Sequence, residues 1–308
     1  MARTPNHPVA GRRILITGGA RGIGAETARR LAARGARIAL VGLEPELLSQ
    51  TAAQCGADAA WFEADVTDTP ALEAAVEAAA GRLGGIHALL ANAGVAAAGT
   101  VRTIDPAAFE RTIEVNLLGV WRTVRAALPH VIASRGYVLP VASVAAAAHA
   151  PGMAAYAASK AGVEAFANSL RVEVAHLGLD VGVAYFSWIA TDLVLGGESH
   201  PAFALFRSKL RGPSGTTLPV GDAAEAIIRG IERRSRVVVA PGWVQALLAL
   251  RGIAQPLTER DARRWAPEVV ASPRRSRAPR RRGRVGARQP VGRRATPLLA
   301  GRVPRPAC

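Results

Sequence analysis

Arg12-Arg13-Ile14-Leu15-Ile16-Thr17-Gly18-Gly19-Ala20-Arg21-Gly22-Ile23-Gly24 is the stretch that decides the fold. Its first half reads as a short buried strand. Ala25 to Arg34 reads as a helix, with Ala28, Leu31 and Ala32 at helical spacing. Between them lies a glycine-rich turn. Glycines let a backbone approach a pyrophosphate closely, and the following helix N-terminus offers free N–H groups and a positive dipole end. A plain tight β–α turn explains the glycines equally well, so the rest of the chain has to decide.

The remaining chain repeats the alternation. Strands are expected at Arg37 to Val41, Ala59 to Glu63, His87 to Ala91, Gly136 to Val141, Asp180 to Phe186 and Val237 to Ala240. Helices are expected at Pro45 to Gln54, Thr69 to Leu83, Pro106 to about Ala133, Met153 to His176 and Asp222 to Arg233. Short β–α loops and strands apolar throughout predict an α/β fold: a doubly wound, Rossmann-like parallel sheet of about seven strands with helices on both faces. Asp192 to Val220 breaks the rhythm and reads as a long lid or binding loop. Phe203 and Phe206 in that loop, with Trp188, suggest an apolar pocket, although Trp188 reads first as a core residue. Trp243 to Leu250 and Thr258 to Val270 read as two short helices.

Charge divides the chain into two parts. The formal net charge is +16, but twelve arginines and no acid lie between Ser272 and Cys308, which leaves +4 for the rest. Residues 1–271 therefore read as one domain and 272–308 as a disordered, Arg/Pro-rich tail with almost nothing to bury. Neither aromatic residues nor an apolar face accompanies the charge, so specific nucleic-acid binding is not expected. The tail's Arg, Pro, Gly and Ala all have codons of G and C, which suggests a shifted reading frame incidental to the domain. Two cysteines exclude a disulfide framework. No apolar run is long enough for a membrane span, and the start has no signal-peptide segment. The expected location is the cytoplasm.

Tyr156 and Lys160 lie four residues apart, on one face of the expected helix. A phenol titrates near ~10 and is a poor acid or base at neutral pH, but a fixed cation beside it lowers that value. Asn116 lies inside the long helix among apolar neighbours, either facing solvent or buried with a task.

These motifs, in this order, resemble the short-chain dehydrogenase/reductase family over about Gly11 to Trp243. The resemblance rests on Thr17-Gly18-x-x-x-Gly22-x-Gly24, Asp65, Asn92-Ala93-Gly94, Asn116, Ser143, and Tyr156-x-x-x-Lys160. It implies an NAD(P)-dependent oxidoreductase acting on a ketone or secondary alcohol. Tyr156 would be the general acid or base, Lys160 would lower its pKa and hold the ribose hydroxyls, and Ser143 would bond the substrate oxygen. Asn116 would bend its helix around a proton-relaying water. Asp65 would bond the adenine edge, and Asn92, Ala93 and Gly94 would line the coenzyme. Thr191 would meet the carboxamide, and Ile23, Val66 and Ile189 would complete the coenzyme site. No metal is implied. A homodimer or homotetramer is implied, paired over the helices that start at Pro106 and Met153. One departure is Phe186-Ser187 where many members have Pro-Gly, a position where Ser187 could be strained.

NADP(H) is favoured over NAD(H). An NAD site usually has an acid at the end of the second strand. Here Val41 is followed by Gly42 and Leu43, and the first acid is Glu44. Arg21 could face a 2′-phosphate with a bidentate guanidinium. The other reading has Glu44 reaching back to the ribose. Two other functions were weighed: a catalytically silent dinucleotide-binding regulator, and nucleic-acid association through the tail.

Overall fold

A computed structural model describes residues 8–198 and 201–271. The expected tail, 272–308, lies outside the described residues. Strands β1 (Arg13–Thr17), β2 (Arg37–Gly42), β3 (Ala60–Glu63), β4 (Ala88–Ala91), β5 (Tyr137–Pro140) and β6 (Asp180–Val181) form a parallel sheet in the order β3-β2-β1-β4-β5-β6. Strands β7 (Val183–Phe186) and β8 (Val237–Ala240) pair in parallel beside it, and a Val141–Ala184 bridge carries the ladder across.

The expected sixth strand is therefore interrupted at Gly182. There the Tyr137 hydroxyl crosses the chain to donate to the Ser235 carbonyl at 2.7 Å, and a Cβ on residue 182 would collide with both groups. The Gly182 N–H still bonds the Val138 carbonyl, so the ladder direction persists.

Alternation along the strands builds two cores, because successive side chains point to opposite faces. Leu15 joins a core with helices α3 (Thr69–Leu83), α5 (Gly119–Ala133) and α6 (Ala154–Val174). Ile14 and Ile16 join the other, with α1 (Gly22–Ala32), α2 (Pro45–Cys55) and α9 (Val220–Arg233). Strand order reverses at β1, which pairs with β2 on one side and β4 on the other. In register, Thr17 lies opposite Val41 and Ala91. A crevice opens beyond the carboxyl ends of the strands at such a reversal.

Three expectations need correction. The long helix from Pro106 is broken: α4 (Pro106–Ile113) passes through a π-helical turn, Glu114–Leu118, into α5. The segment after Asp192 is mostly helical, with α7 (Asp192–Glu198) and α8 (Pro201–Lys209). Pro201 opens α8 at its first position, while Gly196 and Gly197 lie within the last turn of α7. Finally, α10 (Trp243–Ala249) is followed directly by one long helix, α11 (Arg251–Ala271), which runs through Gly252 and Pro256. Tertiary contacts override propensity there: Trp265 stacks on Phe206 at 5.5 Å and Val269 is fully covered.

Candidate active site

A cleft of about 490 Å³ opens at the strand reversal. Most residues singled out from the sequence line it: Gly18, Arg21, Gly22, Ile23, Asp65, Val66, Asn92, Ala93, Gly94, Ser143, Tyr156, Lys160, Ile189 and Thr191. Thr17, Gly24 and Asn116 stand behind its wall and hold it in place.

The glycine turn is built for close approach. Gly18 and Gly22 have φ of 66° and 57°, in the left-handed region that a Cβ disfavours. Gly24 packs so tightly against the Gly18 carbonyl that any Cβ there would overlap it. Asn92 locks the turn. Its amide donates to the Thr17 and Gly18 carbonyls, each at 3.2 Å, while its backbone N–H bonds Thr17 Oγ1 at 3.2 Å. Thr191 sits over the turn; a Cβ on Gly22 would lie 3.4 Å from its methyl.

Asn116 is fully buried at the π turn. Its Oδ1 accepts from the Val95 N–H at 2.8 Å, and its Nδ2 donates to the Val95 carbonyl at 2.9 Å and to Ser159 Oγ at 3.0 Å. Asn116 thus has a task, pinning the loop after Gly94 to α6. A π turn is a common device for placing such a residue at a functional site.

Ser143, Tyr156 and Lys160 meet on one wall. Ser143 is 7% exposed, donates to the Phe186 carbonyl at 3.3 Å and accepts from the Ala145 N–H at 3.2 Å. Burial pushes the Tyr156 phenol above its ordinary value, and the neighbouring Ser143 hydroxyl offsets only part of that rise. Lys160 is 4% exposed and burial lowers it to about 8, since an ammonium loses hydration there. Its Nζ lies 5.7 Å from the Tyr156 ring centroid and donates to the Val141 carbonyl at 2.8 Å. In this geometry the ammonium is turned to the Val141 carbonyl rather than to the phenol oxygen.

At the opposite end, Asp65 Oδ1 accepts from the Thr67 N–H at 2.9 Å and Oδ2 pairs with Arg111 at 2.9 Å. Burial raises the Asp65 carboxyl, but Thr67 and Arg111 outweigh it and hold the group below the ordinary range. Arg21 bridges to Glu44 at 2.7 Å and lies 3.8 Å from Asp192 at the start of α7.

Two expectations about the pocket change. Trp188 packs edge-on against Phe203 and Phe206, both at 5.7 Å, under the Arg207 guanidinium at 4.3 Å. These aromatics form a small core with Trp265 and leave the cleft wall to Val95, Ala96, Leu193 and Val194. Ser187 is not strained: among the described residues only Arg135 and Arg234 have positive φ without being glycine. Sequence reasoning also missed Ser159, fully buried between Asn116 and the Tyr156 carbonyl, and Arg111. Ser159 stood in plain view beside Lys160. Arg111 had no signal, being one arginine on an amphipathic helix.

A nicotinamide dinucleotide suits this cleft. The glycine turn is a cradle that any Cβ would fill, and the Ser187 hydroxyl, buried at the far end, has no protein partner. Among the described residues no group of three or more His, Cys, Asp or Glu is placed to hold a metal. No helix among them is long and apolar enough to cross a membrane.

The chain's similarity to known proteins agrees with this fold and cleft. Residues 12–199 match the family model for short chain dehydrogenase. Cis-4-hydroxycyclohexanecarboxylate dehydrogenase of Sinomonas cyclohexanicum is 34% identical over 222 residues, 71% of this chain and 88% of that protein. Glycine betaine reductase ATRR of Emericella nidulans is 33% identical over 240 residues; the match covers 76% of this chain but 19% of that longer protein. Among solved structures, levodione reductase superposes with a TM-score of 0.70 at 26% identity, covering 77% of this chain and 99% of that one. Motif, fold and cleft agree with these matches: the chain belongs to the short-chain dehydrogenase family.

Proposed function

We propose that the chain interconverts a ketone and a secondary alcohol of largely apolar body, with Tyr156 moving the proton. Its family makes it an oxidoreductase acting on CH–OH or C=O groups with a nicotinamide coenzyme. The observation that carries the finer reading is that Ser143, Tyr156 and buried Lys160 share one wall of the glycine-turn cleft, with Lys160 Nζ 5.7 Å from the Tyr156 ring centroid.

The coenzyme, when bound, supplies or accepts the hydride. The chain does the rest. Gly18, Gly22 and the start of α1 receive the pyrophosphate, Asp65 the adenine and Thr191 the carboxamide. Tyr156, and Ser143 once its hydroxyl turns from the Phe186 carbonyl, would donate to the substrate oxygen, where negative charge develops in reduction, and this stabilises the transition state. Tyr156 gives that oxygen its proton and takes one in the reverse direction. Lys160 holds the ribose and, once its ammonium faces the phenol, favours the phenolate. Val95, Ala96, Leu193 and Val194 exclude water and favour an apolar substrate body.

We also propose NADP(H) over NAD(H). Leu43 stands where an NAD site would carry its acid, and the charge of Glu44 is met by Arg21 at 2.7 Å. A 2′-phosphate would then meet a guanidinium instead of an open carboxylate. The test is kcat/KM for both coenzymes with a panel of ketones and secondary alcohols. NADPH is expected to lead by about tenfold, one charge-assisted pair. A clear NADH preference would overturn the choice. The same assay on a chain ending at Ala271 should return unchanged constants; a loss of turnover would show that the arginine-rich tail takes part.

A further inference from the structure

We propose that Arg111 is a positioning residue for coenzyme recognition: it fixes the Asp65 carboxylate in the orientation that accepts the adenine amino group. The proposal rests on the reading of Asp65 as the adenine acceptor, and the test separates the two.

Arg111 sits in the last turn of α4, and both it and Asp65 line the cleft. Its Nη2 donates to Asp65 Oδ2 at 2.9 Å and its Nη1 to Thr67 Oγ1 at 3.0 Å. Asp65 Oδ1 takes the Thr67 backbone N–H at 2.9 Å. The three residues thus form a closed knot. A guanidinium is planar, so bonds from two of its nitrogens fix the plane of the group they reach. With both oxygens held, the Asp65 carboxylate cannot rotate freely, yet each oxygen keeps a second lone pair for a ligand.

The arrangement serves the ligand more than the fold. The side chains are 46% and 28% exposed, and an ion pair that open contributes little to stability. Its electrostatic effect in the cleft is larger. Asp65 is an anion in the cleft that takes a dinucleotide pyrophosphate, itself an anion. Arg111 cancels that charge at the adenine end without removing the acceptor. A lysine would supply the charge but not the fork.

The experiment compares wild type, Arg111→Met and Arg111→Lys, using the coenzyme and its hypoxanthine analogue, in which the adenine amino donor is replaced by an oxo acceptor. Wild type should prefer the adenine coenzyme by about tenfold in KM, the worth of one hydrogen bond to a charged acceptor. Arg111→Met should raise KM for the adenine coenzyme about tenfold, leave kcat and Tm unchanged, and bring the two coenzymes close to parity. Arg111→Lys should fall between, keeping charge but losing part of the discrimination. Arg111→Met that discriminates as strongly as wild type overturns the proposal, as does one that lowers kcat and Tm together. A wild type that treats the two coenzymes alike removes the Asp65 reading itself, before any variant is made.

Discussion

Tyr156→Phe is expected to lower kcat by about 10²- to 10⁴-fold while leaving coenzyme binding almost unchanged. The substitution keeps the ring that lies 5.7 Å from Lys160 Nζ and removes only the hydroxyl. Packing is therefore preserved, and the loss falls on proton transfer. In reduction the substrate oxygen becomes an alkoxide unless a proton arrives with the hydride. Ser143 can donate a hydrogen bond to that oxygen, but a serine hydroxyl is too weak an acid to give the proton away. The Lys160 ammonium, turned to the Val141 carbonyl at 2.8 Å, is not directed at the substrate. Rapid-mixing absorbance of the coenzyme, with and without substrate, separates binding from turnover. If the Phe variant keeps most of its rate, the proton comes from elsewhere and Tyr156 loses its assigned role.

The second large effect is structural in origin. Gly24→Ala should lower Tm by about 3–10 °C, the cost of overpacking a site that cannot relax. It should also raise the coenzyme KM by about a hundredfold, ~2.7 kcal/mol of binding. The added methyl would overlap the Gly18 carbonyl and sit 2.9 Å from Asn92 Nδ2. Neither neighbour can retreat. Gly18 is held in the left-handed region, and Asn92 Nδ2 already donates to the Thr17 and Gly18 carbonyls. Moving either opens the seam between β1 and β4, where the cleft begins. Gly81→Ala is the control. It lies inside α3 with nothing near its Cβ, so it should be neutral or stabilise by about 1 kcal/mol. Thermal melts and coenzyme titration of the two variants decide the point, and equal behaviour would mean that the turn is not the tight cradle described.

The central sheet was readable from the sequence because β1, β2, β4 and β5 are predominantly apolar and buried and the loops between elements are short. The glycine turn was readable because few residues other than glycine fit φ near 60°. Tyr156 and Lys160 followed from spacing, since residues four apart share a helix face, while Ser143 followed only from the resemblance to the family. What escaped depends on contacts between distant segments. The π turn at Glu114–Leu118 carries no composition signal of its own; it becomes explicable once Asn116 reaches both Val95 and Ser159. Helices α7 and α8 were hidden by Gly196, Gly197 and Pro201, and the aromatic pocket by proximity in sequence alone. Phe206 turned out to stack on Trp265, 59 positions away, so the residues meant for a substrate are core. Lys160 illustrates another limit. Spacing placed it beside Tyr156 but could not show that burial lowers it to about 8 and that Val141 takes its ammonium.

The most direct measurement follows a deuterium label from the nicotinamide 4-position of the reduced coenzyme into product, using the full chain and a panel of apolar ketones, with Tyr156→Phe run alongside. The expected result is deuterium on the carbinol carbon of at least one product, formed by the wild type and slowed about 10²-fold or more in the variant at equal coenzyme occupancy. Tight coenzyme binding with no label transferred to any ketone, and none returned from the matching alcohols, would contradict it and leave a dinucleotide-binding protein without turnover.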